Sequence, residues 1–236
     1  MARNKHPEET VAKILDVALE LFAQKGYEHT SIQDIVDNLD GLSKGAIYHH
    51  FKSKEEIFDA AMERAMTPAL ESIGSNRDDR ELTGAQKVQR LFSLEGVLPQ
   101  LTAWKRVSPD PDPIKNARLL GMEYANALGP AASDYLLPII EQGNADGSIA
   151  CKHPRETAEA LSLLADLWLV PLFREPGTEA QFMNRLDVLI DMAAAVGIQF
   201  DRTHMEETAR AIARVLFDDV EREAEEEHTD QGGRAH

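Results

Sequence analysis

Cysteine is almost absent from this chain, which has a single one, Cys151, among 236 residues. One cysteine makes no internal disulfide and builds no thiolate metal cluster, so a disulfide-stapled secreted domain is excluded. Long apolar runs are missing as well, and we expect no transmembrane helix, which needs 18 or more such residues. Residues 1–9 have no apolar stretch behind their basic side chains, so we expect no secretory signal peptide and a cytoplasmic protein.

Basic residues are also scarce, because 25 Lys+Arg face 41 Asp+Glu and leave a net charge of −16. Affinity for phosphates comes from Lys and Arg, so the charge of the whole chain argues against nucleic acid. The charge is unevenly distributed, however. Residues 1–54 hold seven basic and eight acidic residues, whereas residues 218–230 hold one basic and eight acidic. The N-terminal quarter is therefore nearly neutral, and we expect only weak non-specific affinity for DNA.

Signals for β-strands are lacking too: there is no Asn-Gly hairpin turn, and the apolar runs follow a helical period. Between residues 8 and 26 the apolar side chains form the stripe of a helix with one buried face, and Gly26 marks its end. The sequence predicts an all-α protein of about nine or ten helices. Predicted capping boxes begin five of them, at Thr30, Ser53, Thr83, Thr178 and Thr203.

Residues 30–51 contain two short predicted helices around a tight turn. The first begins at Ser31, and the second runs from Lys44 to Phe51 with Ser43 as its N-cap. Gly41 lies in the turn, where a residue free to adopt positive φ is useful. Together with the preceding amphipathic helix, this pattern predicts a helix-turn-helix, whose second helix enters the DNA major groove.

The second helix has residues suited to that role. Between residues 43 and 54 there are three lysines, two histidines and no acid. Lys44 and Tyr48 are hydrogen-bond donors, and Gly45 permits close approach to DNA. The alternative for Tyr48 is packing against the supporting helices. Adjacent His49 and His50 point about 100° apart on a helix and cannot share one metal ion, so no metal site is predicted.

These motifs resemble the DNA-binding domain of TetR-family transcriptional repressors. The similarity covers residues 10–60 and is strongest at residues 21–22, 26–27, 30–31, 34–35 and 43–56. Its turn, residues 39–43, is one residue longer than is usual in the family. The resemblance implies DNA contacts at Thr30, Ser31, Lys44, Gly45, Tyr48, His49, His50 and Lys54.

The resemblance also implies how the chain is organised. It predicts a DNA-binding domain over residues 1–56 and a ligand-binding and dimerisation domain over residues 57–225. The acidic run that begins at Asp218 predicts, independently of the resemblance, a helix that frays into a disordered tail over residues 226–236, for which an interaction role is the alternative. The implied partners are a near-palindromic operator in double-stranded DNA, an unidentified small-molecule effector and a second copy of the chain. No cofactor and no membrane are implied.

Residues 158–173 are apolar almost all round, and such a helix must be covered on two sides. We expect it to form the dimer seam together with the helix that begins at Thr203, the alternative being a helix buried within one chain. The candidate interface residues are Leu161, Leu164, Trp168, Leu172, Ile212 and Leu216.

The ligand pocket is predicted from residues that mix aromatic bulk with a few polar groups, as small-molecule sites do. Ordinary core filling is the alternative for each of them. Asp166, an acid among apolar residues, could recognise a cationic ligand, pair with an arginine or lie at the surface. The candidate lining residues are Leu101, Trp104, Met122, Tyr124, Asn126, Tyr135, Trp168 and Met183.

Motifs of the common enzyme classes are missing: there is no GxSxG, P-loop, GxGxxG or HExxH sequence. We therefore do not expect an enzyme. Two functions remain, a ligand-responsive repressor and a helical small-molecule binding protein or enzyme whose N-terminal helices are only structural.

Overall fold

The computed structural model describes residues 7–39, 42–107, 112–175 and 177–232. These residues form helices and turns with no strand, so the prediction of an all-α fold is confirmed. Two π-helical segments, π1 and π2, adjoin α8 and α9. The elements are α1 (Pro7–Lys25), α2 (Ile32–Asp37), α3 (Lys44–His50), α4 (Lys54–Asp78), α5 (Gly84–Leu91), α6 (Leu94–Val107), α7 (Ala117–Leu128), π1 (Ala131–Leu136), α8 (Leu137–Asp146), α9 (Pro154–Leu163), π2 (Leu164–Leu169), α10 (Glu179–Ala195) and α11 (Arg202–Gly232).

Helix starts follow the predicted capping residues in three of five cases. Ser53, Thr83 and Thr178 each accept a hydrogen bond from the backbone N–H three residues later. The prediction for Thr30 is wrong by one residue, since Ser31 caps α2. The prediction for Thr203 is also wrong: α11 begins at Arg202, and the Asp201 carboxylate accepts from a backbone N–H of its first turn.

The apolar side chains form two clusters. The N-terminal core joins α1 to α4 and includes Ile14, Ile35, Ile47 and Phe58, all at most 1% exposed. The C-terminal core joins α5, α6 and α8 to α11. Trp104 of α6 belongs to the N-terminal core, so the two regions share an element.

Helix α4 connects the regions, running 25 residues with Pro68 inside it. Its first turns pack on α1 in the N-terminal core through residues up to Met62. The N-terminal core thus extends past residue 56, the predicted domain boundary. At the far end of α4, the Lys87 ammonium of α5 donates to the carbonyl of Arg77 and to Gln142 of α8, at 2.6 Å each.

Helix α11 continues to Gly232, into the residues for which the sequence predicts a tail. Glutamate is a good helix former, so a run of it is compatible with a long helix. Residues 233–236 lie outside the described part. Among the described residues, no helix combines the length and the apolar character needed to cross a membrane.

Candidate nucleic-acid interface and ligand cavity

Helix α3 is held by its inner face and presents its outer face to solvent. Ile47 is completely buried in the N-terminal core, and the backbone N–H of Ala46 donates to the Ser43 hydroxyl at the N-cap, at 3.3 Å. Lys44, Gly45 and His49 are exposed. The outer face of α3 is thus free for a partner while its inner face fixes its position.

Tyr48 is 46% exposed, so its side chain is not packed into the supporting helices, which was the alternative. His50 is half-buried, and its ring meets that of His49 edge-on with centroids 5.3 Å apart. Within the described residues, no group of three or more His, Cys, Asp or Glu side chains is placed to hold a metal ion.

Gly45 has no packing reason to be glycine. A Cβ built on it would meet only the Ser43 hydroxyl, at 3.8 Å, which is ordinary van der Waals contact. No positive φ requires glycine there either. A bare backbone at this exposed position is what a close external surface would need.

Three of the predicted DNA contacts have partners within the protein. Thr30 is buried, and its hydroxyl donates to the carbonyls of Gly26 and Leu21, at 2.9 and 3.2 Å. The Thr30 side chain therefore holds the turn after α1 and is not available to DNA, which corrects its assignment. The Lys54 ammonium donates to the carbonyl of Tyr27 at 2.7 Å and lies over its ring, so it anchors the start of α4.

Ser31 is exposed, but its hydroxyl serves the capping box of α2. The Asp34 N–H donates to that hydroxyl at 3.1 Å, and the Ser31 N–H donates to the Asp34 carboxylate at 2.8 Å. Lys25 binds the same carboxylate at 2.8 Å. Hydrogen bonds from Lys25 and Ser31 hold the pKa of Asp34 far below its usual value. The turn between α2 and α3 includes Asp40 and Gly41, so the predicted longer connection lies outside the described residues.

A cavity of about 460 Å³ lies among the C-terminal helices. Its walls come from α4 to α7, α9 to α11, and both π-helices. The volume falls within the range of small-molecule sites. π-Helical turns are often found at functional sites, and here both of them line the cavity.

Four of the eight predicted pocket residues line the cavity: Trp104, Met122, Asn126 and Tyr135. The other four are elsewhere, because helical period does not say which face of a helix meets the cavity. Tyr124 is 54% exposed on α7, Leu101 is buried in the C-terminal core, and Trp168 and Met183 pack against that core outside the cavity lining.

Two carboxyl groups in the cavity are the main feature. Glu123 of α7, which the pocket prediction missed, is 7% exposed, and Asp166 of π2 also faces the cavity. Burial raises the pKa of both, and the nearby Asp166 raises that of Glu123 further. Apolar neighbours mark Asp166 in the sequence, but on α7 nothing distinguishes Glu123 from a surface acid.

Half of the predicted dimer-seam residues are buried within the single chain. Leu161 is 2% exposed, Ile212 lines the cavity, and Leu216 is buried in the C-terminal core. Leu164, Trp168 and Leu172 are half-buried and pack against the same core. The segment ends as π2 just before Pro171, covered by its own chain. Leu161, Ile212 and Leu216 are therefore covered within one chain, as the alternative of an intramolecular helix expects, whereas a seam through Leu164, Trp168 and Leu172 stays a prediction.

One stripe of exposed apolar side chains lies on α10. Val188, Met192 and Val196 are 40 to 47% exposed and recur every four residues, so they form one stripe along and just beyond the helix.

An all-helical protein with an N-terminal helix-turn-helix has the architecture of a DNA-binding transcriptional regulator. The sequence profile "Bacterial regulatory proteins, tetR family" matches residues 14–61. Residues 14–61 therefore form a DNA-binding domain of the TetR-family type.

Known proteins support this assignment. The biofilm operon icaADBC negative transcriptional regulator IcaR of Staphylococcus epidermidis is 34% identical over 67 residues, which are 28% of this chain and 36% of IcaR. The match thus spans about a third of that relative's length.

Solved structures extend the similarity to the whole fold. A TetR/AcrR-family regulator from Thermobifida fusca has a TM-score of 0.52 at 23% identity, covering 77% of this chain and 97% of its own. A transcriptional regulator from Saccharomonospora viridis, solved in complex with choline, has a TM-score of 0.53 at 23% identity, covering 81% and 98%. At such identities the likeness shows the fold alone.

Proposed function

We propose that this protein is a homodimeric repressor that binds a near-palindromic operator and is released from it by a small molecule bound in the cavity. The observation that carries the proposal is the outer face of α3, which is exposed, free of acid and fixed by the buried Ile47. In helix-turn-helix proteins the corresponding helix reads the major groove.

The proposed DNA contacts are made by Lys44, Gly45, Tyr48 and His49, all exposed on α3, with His50 beside them. Ser31 contributes through the N-terminus of α2, where backbone N–H groups and the helix dipole favour a phosphate. Lys54 acts indirectly by anchoring α4. Because few lysines face the DNA, we expect affinity to fall only shallowly with salt concentration.

A second copy would cover the apolar stripe of α10. A dimer with two-fold symmetry presents two recognition helices to two half-sites, which is why the operator is expected to be near-palindromic. Exposed apolar surface of this kind is typical of interfaces between proteins. The dimer would thus form through α10 rather than through residues 158–173.

Coupling between the cavity and α3 would pass through α4 and Trp104. Helix α4 begins beside the helix-turn-helix and lines the cavity from Asp59 to Ile73. Trp104 lines the cavity and packs in the N-terminal core. A ligand that moves these elements changes the spacing of the two recognition helices. A coupling free energy of about 1–3 kcal/mol is enough to change DNA occupancy several-fold or more. The choline complex of the S. viridis regulator is a precedent for small-molecule binding in this fold.

In vitro selection of genomic fragments bound by the full chain tests the proposal. We expect enrichment of a near-palindromic sequence, and Lys44→Ala to weaken binding to it by about tenfold or more, which corresponds to 1.4 kcal/mol. Lys152→Ala is the matched control, because Lys152 is an exposed lysine far along the chain from α3.

The opposite results would contradict the proposal. If no sequence is enriched, the chain is a helical binding protein whose N-terminal helices are structural. If Lys44→Ala and Lys152→Ala bind the selected duplex equally well, α3 is not the reading helix.

A further inference from the structure

The cavity has an unusual distribution of charge. Four acids line it, Asp59, Glu63, Glu123 and Asp166, and none of its described lining residues is Lys, Arg or His. Most of the remaining lining is apolar, including Met62, Met66 and several leucines. An anionic ligand would be repelled here, and a neutral one would supply no charge opposite to that of the acids.

Asp166 and Glu123 lie deepest among these acids. The Asp166 carboxylate accepts no hydrogen bond from any described residue, and burial and Asp166 raise the pKa of Glu123 although the Asn126 side chain lowers it. Both groups lie in the walls of the same cavity, one on π2 and the other on α7. A carboxylate removed from water is costly unless a cation accompanies it, so a cationic ligand would stabilise the ionised form of both groups.

The aromatic lining suits the same kind of ligand. Trp104 and Tyr135 both face the cavity, and the faces of such rings attract a cation held close to them. The methionines and leucines offer an adaptable apolar surface for the rest of a ligand. The cavity thus combines two buried acids, two aromatic rings and an apolar enclosure of about 460 Å³.

From this arrangement we infer that the effector is a lipophilic cation, an amine or quaternary onium group attached to an apolar body. Its positive charge lies between Asp166 and Glu123, and its apolar body fills the space between α4 and α11. This inference rests on the proposed use of the cavity as the effector site, and it specifies the chemical class of the ligand.

A pair of ions with matched size and opposite charge tests it. Tetraphenylphosphonium and tetraphenylborate expose similar apolar surfaces, so a difference in their affinity reports charge. Calorimetric titration of the full chain is expected to give an affinity for the phosphonium at least about tenfold higher than for the borate.

Two isosteric variants locate the selectivity. Asp166→Asn and Glu123→Gln are each expected to reduce the ratio of the two affinities by about fivefold or more. Glu141→Gln is the matched control: it removes one negative charge from an exposed position on α8 and should leave the ratio unchanged. Thermal unfolding of each variant verifies that it is folded, and the comparison of the two ions on the unmodified chain needs no variant.

The outcomes separate this inference from the proposed function. Equal affinities for the two ions, or tighter binding of the borate, would overturn the inference and leave DNA binding and its release by another ligand intact. An unchanged ratio in both cavity variants would overturn it as well, by assigning the selectivity to the net charge of the chain. Selective binding of the phosphonium by a chain that selects no DNA would sustain the inference and refute the repressor.

Discussion

Replacing Gly45 by alanine separates DNA binding from folding at the recognition helix. The added Cβ meets only the Ser43 hydroxyl, at 3.8 Å, and displaces nothing in the protein. Alanine also has the higher helix propensity, by up to about 1 kcal/mol. The variant should therefore be at least as stable as the parent.

The same methyl group is expected to lower the affinity for DNA. If the Gly45 backbone approaches the duplex closely, the methyl group pushes α3 outward and lengthens the neighbouring contacts of Lys44 and Tyr48. Loss of one good contact costs about 1–3 kcal/mol. We expect affinity for the selected duplex to fall by about tenfold or more while the free energy of unfolding stays equal or rises.

Fluorescence anisotropy of a labelled duplex measures the first quantity and urea unfolding the second. Gly74→Ala is the matched control, because Gly74 is a helical glycine of α4 with nothing within 4 Å of its added Cβ. It should gain similar stability and bind DNA normally. Unchanged affinity of Gly45→Ala would refute the close approach of α3 to DNA.

Three further predictions concern the dimer, the core and the cavity. Met192→Glu puts a charge in the α10 stripe and should convert the dimer to a monomer in sedimentation experiments. An unchanged dimer would show that the interface lies outside this stripe. Gly84→Ala would put its Cβ 2.3 Å from the Gly143 backbone, so α5 and α8 must move apart. The free energy of unfolding, measured in urea, should fall by about 1–3 kcal/mol. An equally stable variant would contradict this close packing of the two helices. Because burial raises the pKa of Glu123 and Asp166, the folded state binds more protons than the unfolded one, and stability should decline as pH rises from about 4 through the raised pKa values. Urea unfolding from pH 5 to 8 should show a smaller decline in the Asn and Gln variants, whereas identical profiles would mean that these carboxyls titrate normally.

Local pattern was enough to predict the helix-turn-helix. Ser43 as the cap of α3, the exposed Lys44 and the end of α1 at Gly26 all follow from interactions a few residues apart, which a sequence displays directly. The all-α class follows in the same way from helical period. The side chain of Thr30 was misjudged because its partner, the carbonyl of Leu21, is nine residues earlier.

The sequence by itself determined the fold class and the helix-turn-helix, whereas only the tertiary structure decided the cavity and the free surfaces. Residues 158–173 show why, because an apolar helix must be covered but its sequence does not say by which chain. Packing decided that its own chain covers part of it, leaving Val188 and Met192 exposed on α10. Packing also brought Glu123 and Asp166, 43 positions apart, to one cavity. Such proximity depends on how helices cross, and local periodicity does not encode it.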